Sequence, residues 1–100
     1  AQRGERMRVF EWNAAKAASN IRKHRLAFES VVAVFDDPLV QIEQDRIVDG
    51  EQRWQATGLA NGYILVVVAY ATWDDEQGTE IIRIISARRA EKHERKRYQG

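Results

Sequence analysis

Residues 63–73 read YILVVVAYATW, a run that is apolar on both of its alternating faces. A strand of that kind belongs in the interior of a sheet, because an edge or half-solvated strand would alternate apolar with polar. Upstream, Arg53 to Leu59 does alternate, with Trp54, Ala56 and Gly58 on one face and Arg53, Gln55 and Thr57 on the other. Asn61-Gly62 between the two segments is a type I′ hairpin signal. Downstream, the acidic loop Asp74 to Thr79 leads into a returning strand, Glu80 to Ser86. The three segments most simply form an antiparallel meander. Leu39 to Asp45 reads as an edge strand, and Asp49-Gly50 as a turn.

Val9 to Trp12 reads as a short strand, and Asn13 as the N-cap of a helix running to about His24. Ala14, Ala17, Ala18 and Ile21 give that helix a narrow stripe for packing on a sheet. Phe28, Val31, Val32 and Phe35 recur at helical spacing in a second helix, which Asp36-Asp37-Pro38 stops because Pro38 biases its predecessor out of the helical region. A last helix is expected from just past Ser86 to about Tyr98. It lacks an apolar stripe, and Glu91 is spaced to pair with Arg95 one turn on. The expected order is strand, helix, helix, four strands, helix.

One hundred residues fit a single domain with one core, assigned here to residues 9–98. Residues 1–8 are small, polar and unpatterned, and read as a leader or cloning remnant. Without cysteine there is no disulfide, thiol catalysis or zinc ribbon. No apolar run approaches the ~20 residues of a membrane span, so no membrane contact and a cytoplasmic setting are expected. The net charge of +1 conceals segregation. Residues 1–25 hold seven Lys/Arg against two acids, residues 26–80 two against eleven, and residues 81–100 seven against two. Such asymmetry marks surfaces of opposite sign, or faces merely solvated by charge.

Arg83 interrupts Ile81, Ile82, Ile84 and Ile85, where a purely structural strand has no use for a cation. Held among branched aliphatics, its planar five-donor fork suits a phosphate or carboxylate. A snorkelling edge arginine, or one paired internally with a glutamate, fits the same sequence. Phosphate-cradling glycine loops and HExxH are absent, and His24 and His93 lie far apart. The carboxylates Asp36, Asp37, Asp45, Asp49 and Glu51 make only a weak case for a metal, so no metal site and no cofactor are expected.

The order of short motifs resembles the BrnT toxins of bacterial type II toxin-antitoxin systems. Those motifs are Phe10-Glu11-Trp12, Lys16, Asn20, Lys23-His24, Phe28-Glu29, Phe35-Asp36-Asp37-Pro38, Gly50-Glu51-Gln52-Arg53, Gly58, Arg83-Ile84-Ile85-Ser86-Ala87-Arg88, Glu94-Arg95 and Tyr98. The resemblance covers about residues 9–98. It implies an α+β, RelE-like fold, with two N-terminal helices packed on an antiparallel sheet and a C-terminal helix. It also implies metal-independent RNA cleavage that inhibits translation, and neutralisation by a BrnA-like antitoxin through which alone the toxin would meet DNA. The chain departs from the pattern at Asn13, where Asp is usual, and at Arg25-Leu26-Ala27, where Gly-Val-Ser is usual. The second change removes a glycine suited to a left-handed helix stop and a serine N-cap, so that join should be less stable.

Metal-free RNA cleavage uses the 2′-hydroxyl as internal nucleophile. The protein must then supply a base, an acid for the 5′-oxygen and fixed cations around a developing dianionic phosphorane. Arg53, Arg83, Lys23, His24 and Glu94 are the catalytic candidates, with Glu51 and His93 as further proton-transfer groups. Arg88, Arg89, Lys92, Arg95 and Tyr98 are the candidates for holding RNA. Tyr70 and Trp73 could stack on bases, although aromatics on a sheet more often belong to the core. A non-catalytic basic module that binds an acidic protein or nucleic acid would need the same arginines but no proton-transfer group beside them.

Overall fold

The computed structural model describes residues 7–100, and Ala1 to Arg6, most of the expected leader, lie outside them. The elements in chain order are β1 (Arg8–Trp12), α1 (Ala14–His24), α2 (Phe28–Val31), a 3-10 helix (Val32–Asp36), β2 (Gln41–Val48), β3 (Glu51–Ala60), β4 (Ile64–Asp74), β5 (Glu80–Arg89) and α3 (Lys92–Gln99).

The sheet runs β1-β5-β4-β3-β2, which puts β4 in the middle, as its two apolar faces require. Strands β2 to β5 are antiparallel neighbours, but β1 pairs parallel with β5, so the sheet is mixed rather than antiparallel. The reason lies beyond the end of β1. Running in the direction of β5, the chain passes into α1 alongside the part of the β5 edge that β1 is too short to cover. There the buried Asn20 accepts the Ala87 amide on Oδ1 (3.0 Å) and donates from Nδ2 to the Leu26 carbonyl (2.9 Å). One side chain thereby satisfies two backbone groups that would otherwise be buried without partners.

Asn13 caps α1 by accepting the Lys16 amide at 3.0 Å. The helix stops at Arg25, which sits in the left-handed region at φ 58°, ψ 33° and donates its amide to the Ile21 carbonyl. Ala27, at the N-cap of α2, offers no side-chain bond. Both costs expected at this join are present. What reads as one second helix is a single α-turn tightened into a 3-10 helix, since three valines among residues 31–35 are stiff, weak helix formers and Pro38 follows.

These helices cover one face of the sheet. Leu26, Phe28, Val31 and Val34 pack on Ala56, Val66, Val68, Tyr70, Ile82 and Ile84. Each large side chain buried there contributes about 1.5–3 kcal/mol by transfer from water. Trp12 meets Phe28 edge-on at 5.8 Å, and Phe35 meets Tyr70 at 4.9 Å. Gly58 permits the closest approach, because a Cβ there would lie 3.0 Å from Val34 Cγ1 and 3.1 Å from Asp37 Oδ2. That carboxylate accepts the Leu59 amide (2.8 Å) and the Tyr98 hydroxyl (2.5 Å), which fastens α3 to the body.

Strand β5 extends to Arg89, and α3 begins only at Lys92, so Arg88 and Arg89 are strand residues and not helical ones. Pairing with Val66 and Val67 holds them in the ladder against their own helix preference. Glu91 and Glu94 form a capping box that fixes the start of α3. Glu91 is therefore spent at the cap rather than on Arg95, which donates to the Ala90 carbonyl at 2.8 Å. Nor is α3 a detached surface helix, since Gln41 reaches its Arg97 carbonyl at 3.0 Å and Arg97 pairs with Glu43 at 3.3 Å.

Candidate functional site

The face of the sheet away from α1 and α2 carries a row of charge. Glu11 of β1 pairs with Arg83 of β5, and Arg83 with Ala71 of β4. Trp54 pairs with Tyr70, so the next residue, Arg53, stands on the far side of Ala71. Ala71 is too small to fill the space between the two guanidinium groups. Arg83 is thus not held among its isoleucines. The period-two alternation sends Ile82 and Ile84 into the core at 2% and 1% exposure and turns the Arg83 side chain outward at 41%.

Glu51 bridges the two cations. Its Oε1 accepts Arg53 Nε at 3.0 Å, and its Oε2 lies 3.6 Å from Arg83 Nη1. Glu11 Oε2 lies 3.5 Å from Arg83 Nε, and the Arg83 guanidinium sits 4.8 Å over the Trp73 ring. Both Arg83 pairs are long and half-exposed, so each contributes at most about 1 kcal/mol. Glu11, Asn13, Lys16, Arg53 and Arg83 line a cavity of about 380 Å³ here.

A second cavity, of about 290 Å³, adjoins it along α1. Lys16, Ser19, Asn20, Lys23, His24, Ile85 and Ser86 line it, and Lys16 and Ile85 are common to both. A β-bulge builds the junction. Ala69 pairs with Ser86 and Tyr70 with Ile84, which leaves Ile85 as the extra residue and brings Ser86 to the same face as Arg83.

The structure therefore brings Arg53 and Arg83 together, places Lys23 and His24 in the neighbouring cavity, and puts Glu94 in neither lining. Glu94 is buried, and its two oxygens accept Arg88 Nη1 and Nη2 at 2.8 Å each, while Oε1 also takes the Glu91 amide. The Arg88 hydrogen bonds, reinforced by the Glu91 amide against the opposing effect of burial, hold its carboxyl down to about 2. Arg89 donates to the His24 carbonyl at 3.1 Å. With Arg95 and Tyr98 it lines a third, more apolar cavity of about 540 Å³. Lys92 is exposed in the first turn of α3. The Tyr98 hydroxyl is pushed up to about 12, chiefly by its bond to Asp37.

Of the candidate stacking aromatics, Tyr70 is in the core and Trp73 lies beneath Arg83. Glu91, His93 and Glu94 bring ligand atoms within 4.8 Å of one another, but Arg88 and the Glu91 amide already occupy the Glu94 oxygens. Sequence reasoning missed Glu11 and Lys16 as members of the site. Lys16, Ser19 and Lys23 at helical spacing were a signal for one polar face of α1, whereas Glu11 could be placed only once β1 was known to run parallel to β5.

A mixed sheet with α2 and the 3-10 helix on one face, and α3 covering one end of the other, defines a small α+β domain whose clustered arginine and glutamate lie on the part of that second face beyond α3 and along the α1 border. Residues 12–94 match the family model described as the ribonuclease toxin, BrnT, of type II toxin-antitoxin systems, and the chain belongs to that family. It is also similar to the solved BrnT ribonuclease toxin of Brucella abortus, with 26% identity, a TM-score of 0.60, and coverage of 86% of this chain and 99% of that one. A search of curated proteins gives no match.

Proposed function

We propose that the chain is an RNA endonuclease on a RelE-type scaffold, and that it cleaves by attack of the substrate's own 2′-hydroxyl at the Arg53–Arg83 cavity. The family is one of ribonuclease toxins in type II toxin-antitoxin systems, which implies an antitoxin partner. In the proposed reaction the 2′-oxygen bonds to phosphorus, the 5′-oxygen departs, and a 2′,3′-cyclic phosphate is left. Arg53 and Arg83 face one cavity at a separation set by the strand register. They supply fixed positive charge to a phosphorane that carries more negative charge than the ground state. Glu51, which pairs with both arginines, would take the 2′-hydroxyl proton.

Lys23 and His24 line the adjoining cavity, and one of them would give the departing 5′-oxygen its proton. Glu94 acts through Arg88 as a positioning residue. Arg89, Lys92 and Arg95 add a diffuse positive field, and Tyr98 acts through its hold on Asp37. A BrnA-like antitoxin would silence the site, and translation would be its target process. The observation that carries this reading is the pair of partly exposed arginines that line one open cavity and share one carboxylate. The test is cleavage of single-stranded RNA by the purified protein in excess chelator, with detection of a 2′,3′-cyclic phosphate end. Loss of cleavage in chelator would remove the metal-free mechanism. Absence of cleavage under all conditions would leave a non-catalytic basic module as the reading.

A further inference from the structure

The two adjoining cavities differ in charge balance. The larger one is lined by Arg53 and Arg83 with the carboxylate of Glu11, and Glu51, outside the lining, pairs with both arginines. The smaller one has Lys16, Lys23 and His24 with two serines and an asparagine, and no carboxylate lines it. Among the described residues, neither Lys16 nor Lys23 has a carboxylate within 4.0 Å. Both Asn20 amide atoms are already taken by the backbone, so Asn20 serves as wall. The hydroxyls of Ser19 and Ser86 remain to donate. An uncompensated cluster of ammonium groups, an imidazole and hydroxyls, open to water, is the chemistry of a phosphate site rather than of a structural ion pair.

Spacing ties this cluster to the larger cavity. Lys16, Ser19 and Lys23 share one face of α1, and seven residues at 1.5 Å rise put the two lysines about 10 Å apart along the helix. Lys16 stands at the boundary of the two cavities, and Lys23 lies at the far end. A single strand whose scissile phosphate faced Arg53 and Arg83 would present its adjacent phosphate to this groove.

We propose that the α1-side cavity is a second phosphate subsite, in which Lys16 and Lys23 bind the phosphate next to the one being cut. The inference rests on the reading of the larger cavity as the cleavage site, and its test is chosen to separate the two. The probe is a 2′-O-methyl RNA trinucleotide, which carries two internal phosphates and cannot be cleaved, alongside the matching dinucleotide, which carries one. Binding is followed by fluorescence anisotropy across a salt series.

The wild type should bind the trinucleotide with a salt slope steeper than that of the dinucleotide by about 0.7, the value for one single-strand phosphate contact. In the Lys16→Ala/Lys23→Ala double variant that difference should vanish, with trinucleotide affinity down about fivefold in 0.1 M salt. Lys96→Ala, on α3 and in neither lining, should leave the slope unchanged. Both lysines are exposed, so the melting temperature should not move, and a melt confirms that the double variant is folded. Equal slopes for the two probes on the wild type, or a retained difference in the double variant, would overturn the subsite even if RNA is cleaved. The expected slopes in a protein that cleaves nothing would keep the subsite and overturn only the catalytic reading.

Discussion

Two arginine-glutamate clusters stand on β5 five residues apart, and they differ in how completely they are closed. At Arg88 and Glu94, a buried carboxylate receives both terminal nitrogens at 2.8 Å and has a backbone amide on one of the same oxygens. At Arg83, two carboxylates lie at 3.5 and 3.6 Å, all three side chains are a third to a half exposed, and a cavity opens beside them. Saturated, short and buried bonds hold a helix to a strand. Long, exposed ones leave donors that an incoming anion can recruit. The same residue types thus serve as scaffold in one place and as a candidate site in the other.

The largest expected effect separates the two. Arg83→Ala should lower RNA cleavage about a hundredfold, or roughly 3 kcal/mol of transition-state stabilisation, while its melting temperature stays near wild type. Full cleavage by a folded Arg83→Ala protein would break the comparison. Arg88→Ala should do the reverse and lose about 1–3 kcal/mol of stability in a denaturant titration, because it strands the buried Glu94 carboxylate. A variant as stable as wild type would show that the short pair is dispensable.

The pH dependence of stability sharpens the same contrast. The folded-state value of Glu94 is held near 2, below its ordinary 4.5. Its contribution is therefore fully present above about pH 4.5 and is lost as pH falls toward 2. Thermal melts between pH 2 and 6 should show a steeper acid loss in wild type than in Glu94→Gln, which has no carboxyl to protonate. Identical profiles would mean that the pair does not control acid stability. The smallest effect lies outside both clusters. Arg25→Gly should raise stability by about 1 kcal/mol by relieving a left-handed, non-glycine residue, with cleavage unchanged.

Period and turn chemistry made most of the fold legible. The interior placement of β4, the Asp49-Gly50 and Asn61-Gly62 turns with both residues of each pair at positive φ, and the Asn13 cap all follow from short-range rules, whereas the left-handed Arg25 was expected only from the departure from the family's pattern there. What escaped depends on partners far away in sequence. The parallel docking of β1 is set by where α1 must run. The extension of β5 through Arg88 and Arg89 is imposed by the valines of β4 on a segment that reads as helix. Of the candidate site, alternation across the central strand was enough to single out Arg53 and Arg83. Their shared row, and the inclusion of Glu11 and Lys16, required the register of three strands and one helix.

The parallel pairing of the first strand with the last has a consequence in time. Glu11 and Arg83 are neighbours in space but 72 residues apart along the chain. During synthesis the N-terminal segment emerges first and must wait, unpaired, until the final strand leaves the ribosome. The arginine cavity has walls from β1, β3, β5 and α1, so no nascent fragment that lacks β5 can assemble it. A chain released before residue 83 carries neither the cation nor the strand on which β1 docks. Emergence of β5 is thus built into the topology as a condition for having the site at all.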